Sequence, residues 1–220
     1  MNVVAVILGS CAGLVLHAHL PKRIMDTAFF GVGLFTIVLG VSMALRTSNF
    51  LIMILSVVVG SIVGELIDID KGIMRFGEWL KKRFSARNER FSEGFITAFL
   101  LYCMGSMTIL GAFEEGIEGT ATLLVAKSLL DGFSSIVLAA TMGIGVLFSF
   151  LPLLVYQGGL TVGASVLEPV LSEGMIAELS AVGGILLLGL GVTMLDIKKI
   201  RVVNMLPSLF IAVVLSYFFV

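Results

Sequence analysis

Long apolar runs are the feature of this sequence that most restricts its fold. They lie at about residues 3–20, 27–45, 50–67, 94–112, 132–150, 153–171, 178–195 and 202–219. A helix needs about 20 apolar residues to cross the hydrocarbon core of a bilayer. Charged residues make up only 13% of the 220 residues, too few to cover the surface of a soluble domain. The sequence therefore predicts an all-α polytopic membrane protein with about eight transmembrane helices.

The basic residues lie mainly in alternate connections between these runs. The connection at 68–93 holds Lys71, Arg75, Lys81, Lys82, Arg83, Arg87 and Arg90. Cytoplasmic loops of membrane proteins carry the excess of Lys and Arg, so this connection is predicted to lie inside. Alternation then puts both termini outside, together with loops that hold Glu114, Glu115, Glu118, Lys127, Glu168, Glu173 and Glu178.

The chain is predicted to form a single transmembrane domain over residues 1–220. Helices 1–3 occupy 1–67, a basic connection occupies 68–93, and helices 4–8 occupy 94–220. Apolar residues recur at helical spacing within 71–90. That pattern suits an amphipathic helix lying on the anionic lipids of the inner leaflet. A solvated basic linker is the alternative interpretation.

Three pairs of similar stretches suggest an internal duplication. VLHAHLP (15–21) is similar to VLFSFLP (146–152), LIDIDK (66–71) to MLDIKK (194–199), and FITAFLLY (95–102) to FIAVVLSY (210–217). Their order favours two parallel four-helix repeats, a plan found in transporters. The match between Lys22-x-x-x-Asp26 and Lys127-x-x-x-Asp131 would suit an inverted repeat instead.

Two glycine spacings predict close helix packing. They are Gly9-x-x-x-Gly13 and Gly60-x-x-x-Gly64. Small residues at this spacing let two helices in a membrane approach closely, either within one protomer or between protomers. These helix faces also suggest self-association as a homodimer.

Polar residues in the second half predict a pathway through the membrane. The candidates are Ser106, Thr108, Tyr156, Gln157, Gly158, Gly159 and Thr161. Hydrocarbon satisfies none of the donors and acceptors of the Gln157 amide. The following Gly158-Gly159 pair can unwind the helix and free backbone groups as ligands. The alternative is a packing notch in which Gln157 bonds to a neighbouring helix.

Lys127 and Asp131 are predicted at the outer mouth. Asp131 would cap the outer start of helix 5, and Lys127 lies four residues earlier on the same helical face. An anchoring lysine whose stem reaches to water is one interpretation. A gate that pairs Lys127 with the glutamates of the preceding loop is the other.

Asn204 completes the candidates. It lies before Pro207 at the inner start of helix 8, where it would satisfy freed backbone groups or line an inner vestibule. The sequence holds no nucleotide-binding loop, hydrolytic triad, zinc motif or nucleic-acid-binding feature. We therefore expect no enzymatic activity, no cofactor, no catalytic residue and no bound metal.

Several stretches together resemble one family. They are GFITAFLLYCMGSMTILGAFEEGIEG, LLVAKSLLDGFSSIVLAATMGIGVLFS, LPLLVYQGGLT, SAVGGILLLGLGV and IKKIRVVNMLPSL. In this order they resemble the YqgA/YdfK family of uncharacterised bacterial inner-membrane proteins, over essentially the whole chain. The resemblance implies a multi-pass protein of the bacterial cytoplasmic membrane, a family sometimes labelled a possible sodium channel or pump. The family's elements fall on Lys127, Asp131, Gln157, Asn204 and Pro207.

The sequence thus favours a transporter or channel for a small ion or solute, with its pathway built mainly from helices 4–6 and 8. The alternative is a non-transporting membrane scaffold or regulatory component that acts through the basic 71–90 segment. The scaffold is motivated by the expectation that no carboxylate is buried deep in the membrane, where cation-coupled carriers commonly place one.

Overall fold

Helices make up nearly the whole of the described chain. The computed structural model describes residues 1–72, Arg75, 91–103, 106–167 and 171–219, and these residues contain no β-strand. The basic 71–90 segment, Gly105 and Glu168 therefore lie wholly or largely outside the described residues. Ser106 lies in a helix, but its side chain and that of Glu118 are also outside the description.

The described residues form the following helices, in chain order. They are α1 (Asn2–His19), α2 (Lys22–Ala44), α3 (Phe50–Ile67), α4 (Phe91–Cys103), α5 (Ser106–Phe113), a π-helical turn (Glu114–Glu118), α6 (Thr122–Met142), α7 (Gly145–Phe148), α8 (Phe150–Val162), α9 (Ala164–Leu167), α10 (Glu173–Met194), a 3₁₀ turn (Val202–Met205) and α11 (Pro207–Phe219). Residues 69–72 are also helical.

The described residues contain seven candidate membrane spans, judged by length and composition. A bent pair, Phe91–Cys103 with Met107–Ile117, meets the same test when taken together and makes an eighth; its two parts are inclined at 56°. The prediction of an all-α polytopic membrane protein with about eight spans is confirmed.

Contacts divide the chain into two compact units. Unit 1 comprises Met1–Val32 and Phe76–Glu168, and unit 2 comprises Gly33–Arg75 and Pro169–Val220. Each unit joins segments that are distant in the sequence, because α1 packs against α6 in unit 1 and α3 packs against α11 in unit 2. The single 1–220 domain stays a prediction.

The predicted boundaries of helices 5 and 6 were wrong by about ten residues. Helix 5 was predicted at 132–150, whereas α6 runs from Thr122 to Met142 and ends at Gly143, whose φ of 80° breaks the helix. Helix 6 was predicted at 153–171, whereas α7 and α8 together cover 145–162. The VLFSFLP stretch therefore does not end helix 5, whereas the similar VLHAHLP stretch ends helix 1. One of the three matches that suggested a duplication is thus not at equivalent positions.

In unit 1, α1 packs tightly along α6. Gly9 faces Gly132, and Gly13 faces Ile136, so that a Cβ atom at either glycine would overlap a carbonyl oxygen of α6. The Nδ1 atom of His17 donates to the Ala140 carbonyl at 2.8 Å. The two helices run in the same direction along this contact, and the first glycine spacing acts within the chain.

In unit 2, the second glycine spacing is also used within the chain. A Cβ atom on Gly60 would overlap Ser208, and one on Gly64 would overlap the Asn204 carbonyl. Small residues therefore let α3 lie directly against the 3₁₀ turn and α11. Since both spacings are occupied inside the protomer, they give the predicted homodimer no support, and it stays a prediction.

The end of α3 has a left-handed cap. Asp68 has a φ of 57°, and its backbone N–H donates to the Gly64 carbonyl at 2.8 Å. The Lys71 ammonium pairs with the Asp68 carboxylate and, by hydrogen bonding and charge, holds the pKa of that carboxyl below its usual value. This cap ends the span and leads into the basic connection.

A candidate functional site around a buried ion pair

A buried ion pair lies inside α6 of unit 1. The Nζ atom of Lys127 donates to both carboxylate oxygens of Asp131 at 2.6 Å. Lys127 is 5% exposed and Asp131 is 4% exposed. Asp131 follows Thr122 by nine residues, or about 13 Å along the helix. The prediction that Asp131 caps the start of the helix was therefore wrong. Asp131 lies well within a candidate membrane span.

An asparagine at the start of α1 joins this pair to α8. The Nδ2 atom of Asn2 donates to Asp131 Oδ2 and to Gln157 Oε1, both at 2.9 Å. Asn2 is 1% exposed, and its Oδ1 atom has no hydrogen-bond partner among the described residues. We call Asn2, Lys127, Asp131 and Gln157 the polar cluster. It brings together side chains from three candidate spans, and Asn2 is separated in sequence from Asp131 by 129 residues and from Gln157 by 155.

The broken span borders the polar cluster. The Lys127 Nζ atom lies 6.0 Å from the ring centroid of Tyr102, a fully buried residue one position before the end of α4. The hydroxyl of Thr108, in α5, donates to the Tyr102 carbonyl at 2.9 Å. Thr108, predicted to line the pathway, thus satisfies a backbone acceptor at the break. A cation near an aromatic face is weakly stabilised by it.

The remaining α8 candidates lie in an intact helix. Gly158 and Gly159 are helical, so they do not unwind the backbone as hypothesised. A Cβ atom on either glycine would meet nothing within 4 Å. The Thr161 carbonyl packs against Gly116 of the π-helical turn, and Tyr156 is half-buried. Helical structure is instead interrupted at Gly143 and bent between α4 and α5.

Glu114 does not take part in the expected pairing with Lys127. Its Oε2 atom accepts a hydrogen bond from the Leu123 N–H at 2.9 Å, and its Oε1 atom accepts one from the Thr120 hydroxyl at 3.2 Å. The glutamate therefore caps the N-terminus of α6, where backbone donors have no partner within the helix. Lys127 pairs with Asp131 instead.

Asn204, the last predicted pathway residue, holds the fold of unit 2. Its side chain donates to Glu65 Oε2 at 2.7 Å and accepts from the Asp70 N–H at 2.7 Å. Arg201 donates to the other oxygen of Glu65 at 2.6 Å. The backbone N–H that Asn204 satisfies belongs to Asp70, after the end of α3, and is not a group freed by Pro207 as predicted. Asn204 thus ties the 3₁₀ turn to the end of α3.

Sequence reasoning missed a second buried carboxylate. Glu178, predicted in an outside loop, is fully buried within α10 of unit 2. It accepts hydrogen bonds from the Thr47 hydroxyl at 2.6 Å, the Ser48 N–H at 2.7 Å, the Ser48 hydroxyl at 2.9 Å and the Asn49 N–H at 2.9 Å. The three residues lie in the α2–α3 connection, which Glu178 therefore fixes in place.

Asn2 was also missed. It is a single amide before an apolar run, which by itself looks like a helix cap. Nothing in the local sequence connects it to Asp131 or Gln157. The Thr-Ser-Asn run at 47–49, by contrast, is a row of donors and could have been recognised as needing a buried acceptor.

The fold and the polar cluster define a multi-span membrane protein with charged side chains buried among its helices. The chain belongs to the family described as "Protein of unknown function (DUF554)", whose model matches residues 1–217. It is 34% identical over 221 residues to "Uncharacterized protein YqgA" of Escherichia coli (strain K12), covering 98% of this chain and 94% of that one. It is 35% identical over 220 residues to "Uncharacterized membrane protein YdfK" of Bacillus subtilis (strain 168), covering 98% and 93%.

These comparisons confirm the resemblance drawn from the sequence motifs. The name of the Bacillus relative describes a membrane protein, in agreement with the helices of this chain. No solved structure matches the chain at a significant level.

Proposed function

We propose that this protein is a transporter or channel for a small ion or solute, and that its pathway lies in unit 1 at the polar cluster. The observation that supports this is the buried Lys127–Asp131 pair, bonded through Asn2 to Gln157. Charged side chains within membrane spans are costly and commonly mark ion or substrate pathways.

Stability alone gives a poor account of the ion pair. Removing two charges from water costs several kcal/mol per ion, and well-packed apolar residues often replace a buried pair without loss. Lys127 and Asp131 also lie on the same helix, so their bond does not hold two helices together. A pair with this cost and little structural return is best explained by a role in binding or transport.

The proposed orientation follows the distribution of basic residues. With both termini outside, Asn2 lies at the outer end of its span, and the protein resides in the bacterial inner membrane. Gln157 of the polar cluster lies in α8, together with Tyr156 and Thr161. We propose that these three residues border the pathway. We propose that the protein has no enzymatic function. We also propose membrane lipids as its partners, including anionic lipids at the 71–90 segment.

The scaffold alternative loses its original motivation. It depended on the absence of a deeply buried carboxylate, whereas Asp131 and Glu178 are both buried within candidate spans. A scaffold that acts through the basic 71–90 segment stays a prediction, and charge reversal within that segment would test it.

The test is ion and solute flux across liposomes that hold the purified protein. Currents on solid-supported membranes would be recorded for sodium, potassium, protons, small anions and small solutes, and tracer uptake would detect electroneutral exchange. We expect Asp131→Asn, Lys127→Ala and Gln157→Ala to reduce the flux at least tenfold. Phe133→Leu is the matched control, because Phe133 lies on the same helix and is 70% exposed.

Flux equal to that of empty liposomes across the whole panel, with folded protein confirmed, would overturn the proposal. Flux that survives all three cluster variants would instead remove the pathway from unit 1.

A further inference from the structure

Four buried polar groups of unit 1 have no hydrogen-bond partner among the described residues. They are the Oδ1 atom of Asn2 and the hydroxyls of Ser10, Thr97 and Tyr102. Each of these residues is at most 1% exposed. We call them the unpartnered groups. A buried polar group without a partner costs free energy comparable to a lost hydrogen bond, and native proteins leave few such groups unsatisfied.

We infer that the pathway of unit 1 carries small uncharged hydroxylic molecules, either water or a small polyol, as a file that hydrogen-bonds with the unpartnered groups. This inference rests on the proposed function. It adds the chemical class of the substrate, and it extends the pathway from the polar cluster toward the C-terminal end of α6.

Contacts between α1 and α6 place two of the unpartnered groups. Asn2 lies beside Asp131, to which its Nδ2 atom donates at 2.9 Å. One turn further along α6, a Cβ atom on Gly9 would overlap the hydroxyl oxygen of Ser135. Ser10, the next residue of α1, therefore lies at about the depth of Ser135.

The other two unpartnered groups lie on α4, which runs antiparallel to α6. A Cβ atom on Gly94, near the start of α4, would lie 3.0 Å from the Cβ atom of Met142 at the end of α6. Near the other end of α4, Tyr102 lies close to Ser135. Thr97 lies between these two contacts, about 7.5 Å from Tyr102 along the helix. The unpartnered groups therefore lie at successive depths beside α6, from the polar cluster toward Met142.

The charges in this region favour an uncharged substrate. Lys127 and Asp131 bond to each other at 2.6 Å, so the polar cluster has no net charge. The unpartnered groups are one amide oxygen and three hydroxyls, and none of them supplies a counter-charge for an ion. An ion among them would be buried with its charge unbalanced, which is costly, whereas a neutral molecule avoids that cost.

The hydrogen-bonding capacity of the unpartnered groups matches a hydroxylic molecule. A serine, threonine or tyrosine hydroxyl both donates and accepts, and an amide oxygen accepts. Water and the hydroxyls of a polyol also donate and accept, so one molecule can bond to a side chain and to the next molecule in the file. A buried water makes about three such bonds.

The permeation of water and of a polyol gives the first test. Liposomes that hold the full-length protein would be mixed rapidly with hyperosmotic sucrose, and light scattering would report how fast they shrink. A second series in hyperosmotic glycerol would report re-swelling, which requires glycerol to enter. We expect faster shrinkage than in empty liposomes. Re-swelling faster than in empty liposomes would show that the file admits polyols, and its absence would restrict the file to water.

Three variants each remove one hydroxyl with little change in shape. They are Tyr102→Phe, Ser10→Ala and Thr97→Val. Each should slow permeation by about fivefold, because the file loses one hydrogen bond. Ser56→Ala is the matched control and should leave the rate unchanged, since Ser56 is a fully buried serine of unit 2 that also has no partner among the described residues.

Hydroxyl-radical footprinting tests for the file without any flux assay. An X-ray pulse forms radicals from bound water, these radicals oxidise the side chains that they touch, and mass spectrometry locates the added oxygen. Tyr102 should be oxidised in spite of its full burial. Met194, a buried residue of unit 2 with a readily oxidised side chain, should stay unmodified.

Shrinkage at the rate of empty liposomes, together with an unmodified Tyr102, would overturn the inference. Ion flux in that same preparation would leave the proposed function standing, whereas no flux of any kind would remove both. Permeation that all three hydroxyl variants leave unchanged would overturn the assignment to the unpartnered groups. Oxidation of Tyr102 without permeation would support bound water at these groups and refute transport.

Discussion

The two units of this protein each bury a carboxylate, and they satisfy it in opposite ways. In unit 2, Glu178 accepts four hydrogen bonds from neutral donors of one connecting segment. In unit 1, Asp131 is held by one charged partner on its own helix and one amide from another. Two of the four donors to Glu178 are backbone N–H groups, whereas the donors to Asp131 are side chains that can move.

This difference separates a carboxylate held partly by backbone groups from one held by side chains. The donors around Glu178 include two backbone N–H groups, so releasing the carboxylate would require the α2–α3 connection to rearrange. Releasing Asp131 requires only rotation of the Lys127 and Asn2 side chains. The same chemical group therefore fixes a loop in one unit, whereas in the other it belongs to the pathway that we propose.

The largest effect is expected from breaking the ion pair. Asp131→Asn leaves the Lys127 ammonium buried without its counter-charge, which should lower the free energy of unfolding by about 3–5 kcal/mol. Lys127→Met combined with Asp131→Leu should recover most of that stability, because apolar residues replace a buried pair well, yet it should not recover flux. Denaturant or thermal unfolding in detergent gives the comparison. A double variant as unstable as Asp131→Asn would make the pair structural.

Glu178→Gln should lower the stability of the protein without changing its flux. One of the four donors on Glu178 loses its acceptor, and the remaining bonds lose their charge, so unfolding should become easier by about 2–3 kcal/mol. Flux per folded molecule should stay at the wild-type value. Glu173→Gln, at an exposed glutamate of the same helix, is the control and should change little. Flux lost in Glu178→Gln but retained in Asp131→Asn would reverse the assignment of the two carboxylates.

A smaller effect is expected where glycines let helices touch. Gly64→Ala in unit 2 and Gly9→Ala in unit 1 each place a Cβ atom onto a backbone carbonyl of the neighbouring helix. Overpacking of this kind costs about 1–3 kcal/mol, so both variants should melt at lower temperature. Crosslinking in native membranes would accompany the melts. Unchanged melting with a lost crosslinked dimer would move these contacts from within the protomer to between protomers.

The smallest effect is expected at Gly159. A Cβ atom there meets nothing within 4 Å, and alanine is favoured over glycine within a helix by about 0.5–1 kcal/mol. Gly159→Ala should therefore raise the melting temperature slightly, and Gly158→Ala should do the same. A clear fall in stability would show that α8 is not a continuous helix in the folded protein.

The number of spans could be predicted because it depends on composition alone. Runs of apolar residues long enough to cross a bilayer are visible without any knowledge of packing. The two glycine spacings predicted close contacts for the same reason, since only a missing side chain lets helices touch. Gln157 was correctly expected to need partners, because an amide in hydrocarbon must find them.

The helix boundaries around the polar cluster could not be predicted in the same way. A hydropathy window penalises Lys127 and Asp131 as two separate charges, and so it placed them before helix 5. Four residues apart in a helix they neutralise each other, and α6 continues through them. The error at α6 then displaced the predicted start of helix 6.

Sequence by itself determined that this chain crosses the membrane about eight times and places small residues where helices meet, because those properties are local. Only the tertiary structure decided which polar groups share a site. Asn2 and Gln157 are separated by 155 residues and Thr47 and Glu178 by 131, and each pair meets only after folding. Helix packing decides which polar groups become partners, because the distance between two side chains depends on how their helices pack and not on their separation in sequence.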